Sequence, residues 1–126
     1  MHEEPYTQAL LDLALREAGG RRIVEIRLGV GQFSAIVAGA VEVFFRHLSV
    51  GTPALGARLV FQTVALELTC TACGRTSGLD GGPDAPVRPA LASALSRGCP
   101  CGEPTLKITG GLGFDLLGLT VDGEDA

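Results

Sequence analysis

Four cysteines are the residues whose types and spacing could do chemistry. They fall as Cys70-Thr-Ala-Cys73 and, after an interval of 25 residues, Cys99-Pro-Cys101, and the 126-residue chain has no others. Two turns that each present two sulfurs can hold one tetrahedral metal ion between them. Zinc suits such a site, because soft thiolates bind it well and it demands neither redox chemistry nor a special geometry. A structural disulfide and a redox pair are the competing readings. A redox role for Cys70 and Cys73 would need the pair at a helix start, to lower the thiol pKa. Gly74 and Gly78 follow instead, and they disfavour a helix. Four sulfurs with no spare position make a closed, structural site with no room for a substrate. Arg75, Arg97 and Lys107 lie near the pairs in sequence and would offset the negative charge of four thiolates.

The extreme N-terminus, Met1-His2-Glu3-Glu4, is the second candidate. A histidine at position 2 is ordinarily part of a solvated chain end. Here, however, the Met1 amine, the His2 amide nitrogen and the His2 imidazole can bind one ion through fused chelate rings. With the amide deprotonated, those three nitrogens occupy three corners of a square plane, which favours Ni(II) or Cu(II) over zinc. The fourth corner stays open to a side chain, water or a partner, as a carrier requires. His47, the other histidine, is expected as a surface or capping residue near the end of a helix.

Composition limits what else the chain does. Hydrophobic residues make up 46% and charged residues 19%, enough apolar content for one folded domain with a small metal-held appendage. A net charge of −4, with no cationic run longer than Arg21-Arg22, argues against a phosphate-backbone partner such as nucleic acid. No apolar stretch reaches the ~18–20 residues that would span a bilayer. The polar, acidic start does not resemble a secretory signal, so a cytoplasmic location is expected, where paired cysteines more often bind metal than bridge. Gly29-Val-Gly31 and Gly110-Gly-Leu-Gly113 lack the lysine and hydroxyl of a P-loop and read as bends. No Ser/His/Asp set or carboxylate pair stands out, so the protein is not expected to be an enzyme.

The elements that must position these groups follow from periodicity. Apolar positions at 6, 10, 11, 13, 14, 15 and 18 predict an amphipathic helix over 6–18, closed by Gly19-Gly20. A strand is expected over 23–30. A second helix over about 35–49 would be capped by Ser34, with Val37, Val41, Phe44, Phe45 and Leu48 as its apolar stripe. Residues 57–69 predict one long strand running directly into Cys70. Strands near Leu106–Ile108 and Leu117–Val121 should return to the same sheet.

The fold expected is α+β: a small, mostly antiparallel sheet covered by two helices, with an inserted zinc-ribbon-like knuckle. Residues 1–69 and 104–126 would form the main α/β domain and 70–103 the insert. The loop over 78–86 reads as exposed, and 89–96 as a short helix. With so few large apolar residues, the insert would depend on metal ligation in place of a core.

Taken together, Met1-His-Glu, Gly31-Gln-Phe-Ser34, Phe44-Phe45, Gly51-Thr52, Gly56-Ala-Arg-Leu59, Cys70-x-x-Cys73-Gly and Cys99-Pro resemble the HypA family of hydrogenase nickel-incorporation proteins. The resemblance runs almost end to end. It implies a nickel metallochaperone for [NiFe]-hydrogenase maturation, with an α/β nickel-binding domain and an inserted zinc domain. The implied partners are a GTPase and the hydrogenase large subunit. Carried over by position, His2 matches the nickel ligand, Met1 and Glu3 supply neighbouring backbone nitrogens, and Cys70, Cys73, Cys99 and Cys101 match the zinc ligands. A zinc-ribbon adaptor for a protein or nucleic acid, without nickel, is the alternative.

Two features depart from the family pattern. The second pair is one residue short of the usual Cys-Pro-x-Cys-Gly, which should tighten the turn, remove an amide from the sulfurs and lower zinc affinity. The interval between the pairs holds no histidine to complete a nickel square, so Glu3, Glu4, water or a partner residue remain options for the fourth ligand.

Overall fold

The computed structural model describes residues 3–123, which form two compact units. The first takes in residues 3–29, 35–62 and 114–123; the second takes in 30–34 and 63–113. The second unit is therefore wider than the 70–103 segment that the cysteines delimit.

In the first unit, α1 (Glu3–Ala18) packs on α2 (Ala38–Leu48) and on β6 (Phe114–Val121). Leu10, Leu11, Ala14 and Ala18 are buried at helical spacing, and the chain leaves α1 through Gly19 and Gly20, both at positive φ. They meet Ile23, Ile26 and Leu28 of β1 (Ile23–Gly31) and Phe45 of α2 in one apolar core. β1 is the central strand, with β2 (Arg58–Val64) on one side and β6 on the other. Arg22 accepts from the Asp122 N–H, and the Gly31 N–H bonds Gly113, so β1 and β6 run antiparallel. The Ile23 N–H bonds Pro53 at one end and the Gln32 N–H bonds Val64 at the other, so β2 runs with β1. The helical crossover through α2 permits this parallel pairing.

Three expectations for this unit change. α2 starts at Ala38 rather than near 35, and Val37, not Ser34, stands at its N-cap position, without a side-chain cap. Of the predicted stripe, Val41 and Phe45 are buried whereas Val37 is exposed. Residues 57–69 are two strands, because the chain leaves the first sheet at Val64 and enters a second at Glu67. A polar row crosses the sheet: Glu25 is held by Arg58 and by Arg27, which also reaches Thr120 Oγ1 and the Leu119 carbonyl. The Arg58 and Arg27 guanidiniums hold the Glu25 carboxyl below its usual range.

The second unit is built on β3 (Glu67–Cys70), flanked by β4 (Thr76–Ser77) and β5 (Leu106–Gly110), both antiparallel to it. β5 thus belongs to a second sheet and does not return to the first. Leu68 sits opposite Ile108, and Cys70 opposite Leu106. α3 (Val87–Arg97), slightly longer than predicted, packs Leu91 and Ala94 against Leu66, Leu68 and Leu79. So the cysteine-bearing unit has a small apolar core after all. The residues flanking the cysteine segment supply Leu66, Leu68, Leu106 and Ile108 to it. The loop before α3 is anchored rather than fully exposed, since Leu79 and Ala85 are buried.

Residues 30–34 enter this unit as a strap. The Gln32 side chain donates to the Gly82 carbonyl at 2.8 Å and accepts from the Leu66 N–H at 2.9 Å. Gly31 lies so close to Gly111 that a Cβ there would stand 2.3 Å from the Gly111 carbonyl oxygen.

Candidate metal centre

Each cysteine pair sits in a tight turn whose backbone bonds fix the sulfurs. In the first arm, Cys70 ends β3. Its N–H donates to the Arg75 carbonyl at 2.9 Å, and the Gly74 N–H returns to the Cys70 carbonyl at 3.1 Å. The Cys70 sulfur accepts the N–H groups of Ala72 and Cys73, both at 3.4 Å. In the second arm, the Cys99 N–H donates to the Glu103 carbonyl and the Gly102 N–H to the Cys99 carbonyl, both at 2.9 Å. The Cys99 sulfur accepts the Cys101 N–H at 3.5 Å. Both closing bonds span one residue fewer than in the first arm, as a Cys-x-Cys turn requires.

The two arms bring all four sulfurs within 4.8 Å of one another. Cys70 and Cys101 are 3.7 Å apart at Sγ, as are Cys73 and Cys99. A disulfide needs about 2.05 Å. A tetrahedral zinc with Zn–S bonds of ~2.3 Å separates its sulfurs by roughly 3.8 Å. The spacing therefore fits a shared ion and excludes a bridge in this arrangement. It is the one such cluster of metal-ligating side chains among the described residues.

The electrostatics say the same. The amides of Cys73 and Ala72 draw the Cys70 thiol down to about 6. At Cys101 the Glu103 amide also draws downward, but the crowding sulfurs of Cys99 and Cys70 outweigh it and push the thiol up to about 12. Four sulfurs this close cannot all ionise unaided, and a dication among them removes the conflict. Arg97, one of the cations expected to offset this charge, pairs with Asp80 at 3.3 Å and with Ser93.

Gly98 is a supporting residue that spacing alone did not single out. It ends α3 at φ +69, and a Cβ there would stand 2.9 Å from the Glu103 carbonyl oxygen, the acceptor that closes the second arm. A glycine directly before a cysteine that follows a helical run was the available signal. Gln32 is another: an amide residue beside Gly31 gives no hint in sequence that it will pair with Gly82 and Leu66.

At the N-terminus, Met1 and His2 lie outside the described residues. Glu3 is the first residue of α1; its side chain accepts the Val37 N–H at 3.1 Å, and its carbonyl accepts the Thr7 hydroxyl at 2.6 Å. This segment is thereby tied to the start of α2. Glu4 is exposed, and His47 is exposed in the last turn of α2, outside the cysteine cluster.

Fold and site together define a class: a two-unit α+β protein with a helix-covered sheet in one unit and a four-thiolate metal site in the other. A family model described as "Hydrogenase/urease nickel incorporation, metallochaperone, hypA" matches residues 1–121, and the chain belongs to the HypA family. It is 34% identical to the hydrogenase maturation factor HypA of Thermomicrobium roseum, over 96% of this chain and 98% of that one. It is 37% identical to the Geobacter metallireducens HypA over 75 residues, 60% of this chain and 68% of that one. The solution structure of the Ni metallochaperone HypA from Helicobacter pylori shares the fold, with TM-score 0.66 and 21% identity over 94% of this chain and 96% of its own. A second HypA solution structure gives TM-score 0.73 and 23% identity over 98% of both chains.

Proposed function

We propose that this protein is a nickel metallochaperone of hydrogenase maturation that keeps its two metals apart. The observation that carries this reading is the closure of the cysteine quartet. Four sulfurs at tetrahedral spacing fill the coordination of one ion, so a cargo ion finds no vacant position there while zinc is bound. Cys70, Cys73, Cys99 and Cys101 would hold zinc, which supplies folding energy to the second unit and no reaction chemistry. Nickel, the cargo, is then bound at the N-terminus, by the Met1 amine and the amide and imidazole of His2, with Glu3 supplying the neighbouring backbone nitrogen. Glu3 belongs to α1 and its carboxylate is tied to Val37, so the chelating segment is rooted in folded structure. The partners are the GTPase and hydrogenase large subunit that the resemblance implies, in a reducing, cytoplasmic setting. The match over residues 1–121 disfavours the nickel-free adaptor.

Nickel titration of three proteins tests this reading: the native chain, His2→Ala, and a chain extended by a few residues before Met1. Loss of the imidazole and acylation of the amine each remove one of the proposed nitrogen ligands. Each change should weaken Ni(II) binding by at least about tenfold, or about 1.4 kcal/mol. Equal affinity in all three would sink the N-terminal site.

A further inference from the structure

The two arms of the metal centre are not equivalent. We propose that the site opens at Cys99-Pro100-Cys101, so that metal leaves, and a competing soft donor enters, through this arm first. The inference rests on the reading that the quartet holds zinc.

Three observations carry it. The Cys70 sulfur accepts two amide N–H groups, whereas the structure gives the Cys99 sulfur one. The missing donor has a covalent cause. The first turn is one residue longer, so the Cys73 N–H, three residues on, reaches the Cys70 sulfur, whereas the Gly102 N–H, three residues after Cys99, is taken by the Cys99 carbonyl. Donors of this kind stabilise a ligating thiolate, and losing one typically costs 10–100-fold in metal affinity. The arms also differ in anchorage. Cys70 is the last residue of β3, in register with Leu106 of β5, whereas Cys99 follows α3 outside any strand. Lastly, Pro100, Cys101 and Gly102 are exposed, as are Thr71, Ala72, Cys73 and Gly74, so an incoming ligand can reach either turn and anchorage decides which gives way. The Cys73 turn is closed by the longer pair of backbone bonds and rooted in the sheet.

The test uses zinc-loaded, full-length protein and a variant with one alanine inserted between Pro100 and Cys101, which restores the two-residue spacing. The rate of zinc transfer to 4-(2-pyridylazo)resorcinol is measured for both. The inserted residue should slow release by at least about tenfold. In parallel, limited alkylation of the native protein with N-ethylmaleimide, followed by peptide mapping, should label the Cys99/Cys101 peptide before the Cys70/Cys73 peptide. Release rates equal within about twofold, with the variant folded and fully zinc-loaded, would overturn the proposal. So would earlier labelling at Cys70/Cys73, a result that stands even if the variant fails to fold. A native protein that binds no zinc at all would overturn the zinc reading beneath it as well.

Discussion

Stripping the metal from this protein, or replacing Cys70 with serine, will unfold the second unit and leave the first one folded. The size of the effect follows from how little else holds the second unit. Its buried apolar side chains are few: Leu66 and Leu68 from β3 and its approach, with Leu79, Leu91 and two alanines beside them. Burying a leucine stabilises by ~1.5–3 kcal/mol, and each residue fixed costs ~1–2 kcal/mol in backbone entropy alone. In small zinc-held peptides the metal supplies an apparent ~10–16 kcal/mol at neutral pH. Without that contribution the second sheet should not persist.

The first unit has its own core around Leu11, Ile26, Leu28 and Phe45 and should keep α1 and α2. Amide-resolved NMR of the chelator-treated protein should therefore lose the dispersed signals of residues 67–70 and 106–110 and keep those of residues 10–28. Retention of the β3–β5 signals without metal would contradict this. Cys70→Ser should be more damaging than Cys101→Ser, because Cys70 is buried at a strand end and its sulfur gathers two amides.

The second large effect is expected at Gly111. Its φ is +83, and a Cβ there would lie 2.4 Å from the Leu66 Cα and 2.7 Å from the Leu66 nitrogen. Those are backbone atoms of a segment whose N–H is already bonded to Gln32, so neither side can give way. Gly111→Ala combines the left-handed strain of roughly 1–3 kcal/mol with a backbone collision, and should cost ~4 kcal/mol or more. Against a typical total of ~5–15 kcal/mol, that removes between about a quarter and four-fifths of the stability. Its neighbour provides the control. At Gly110 the nearest atom to a Cβ is the Glu67 Cβ at 3.2 Å and φ is not positive, so Gly110→Ala should cost about 1 kcal/mol or less. Denaturant midpoints for the two variants would check the contrast, and equal shifts would refute it.

These contrasts show which parts of the molecule were legible in its residues. The cysteine quartet was, because its chemistry depends on local turns that Cys-x-x-Cys and Cys-x-Cys spacing nearly dictates. α1 was as well, since a helix lying on a core must repeat its apolar residues every three to four positions. What was not legible depends on contacts between distant segments. Ser34 has the chemistry of an N-cap, yet the Val37 N–H is met by Glu3, 34 residues away. Residues 57–69 alternate like one strand, because both strands need half-buried faces. The break at Ala65-Leu66 is set by Gln32 and Gly111, which no local pattern reveals. For the same reason a core was missed in the second unit. Leu66, Leu68, Leu106 and Ile108 look like residues of the main sheet until β3 and β5 pair with each other.

The central claim is that zinc and nickel occupy different places on one chain. The most direct measurement is native mass spectrometry of zinc-loaded, untagged protein during titration with Ni(II). The native chain should keep its zinc and gain nickel, while His2→Ala should keep zinc and gain none at the same nickel concentration. Nickel that enters only as zinc departs, equally in both proteins, would place the cargo in the cysteine quartet and contradict the account.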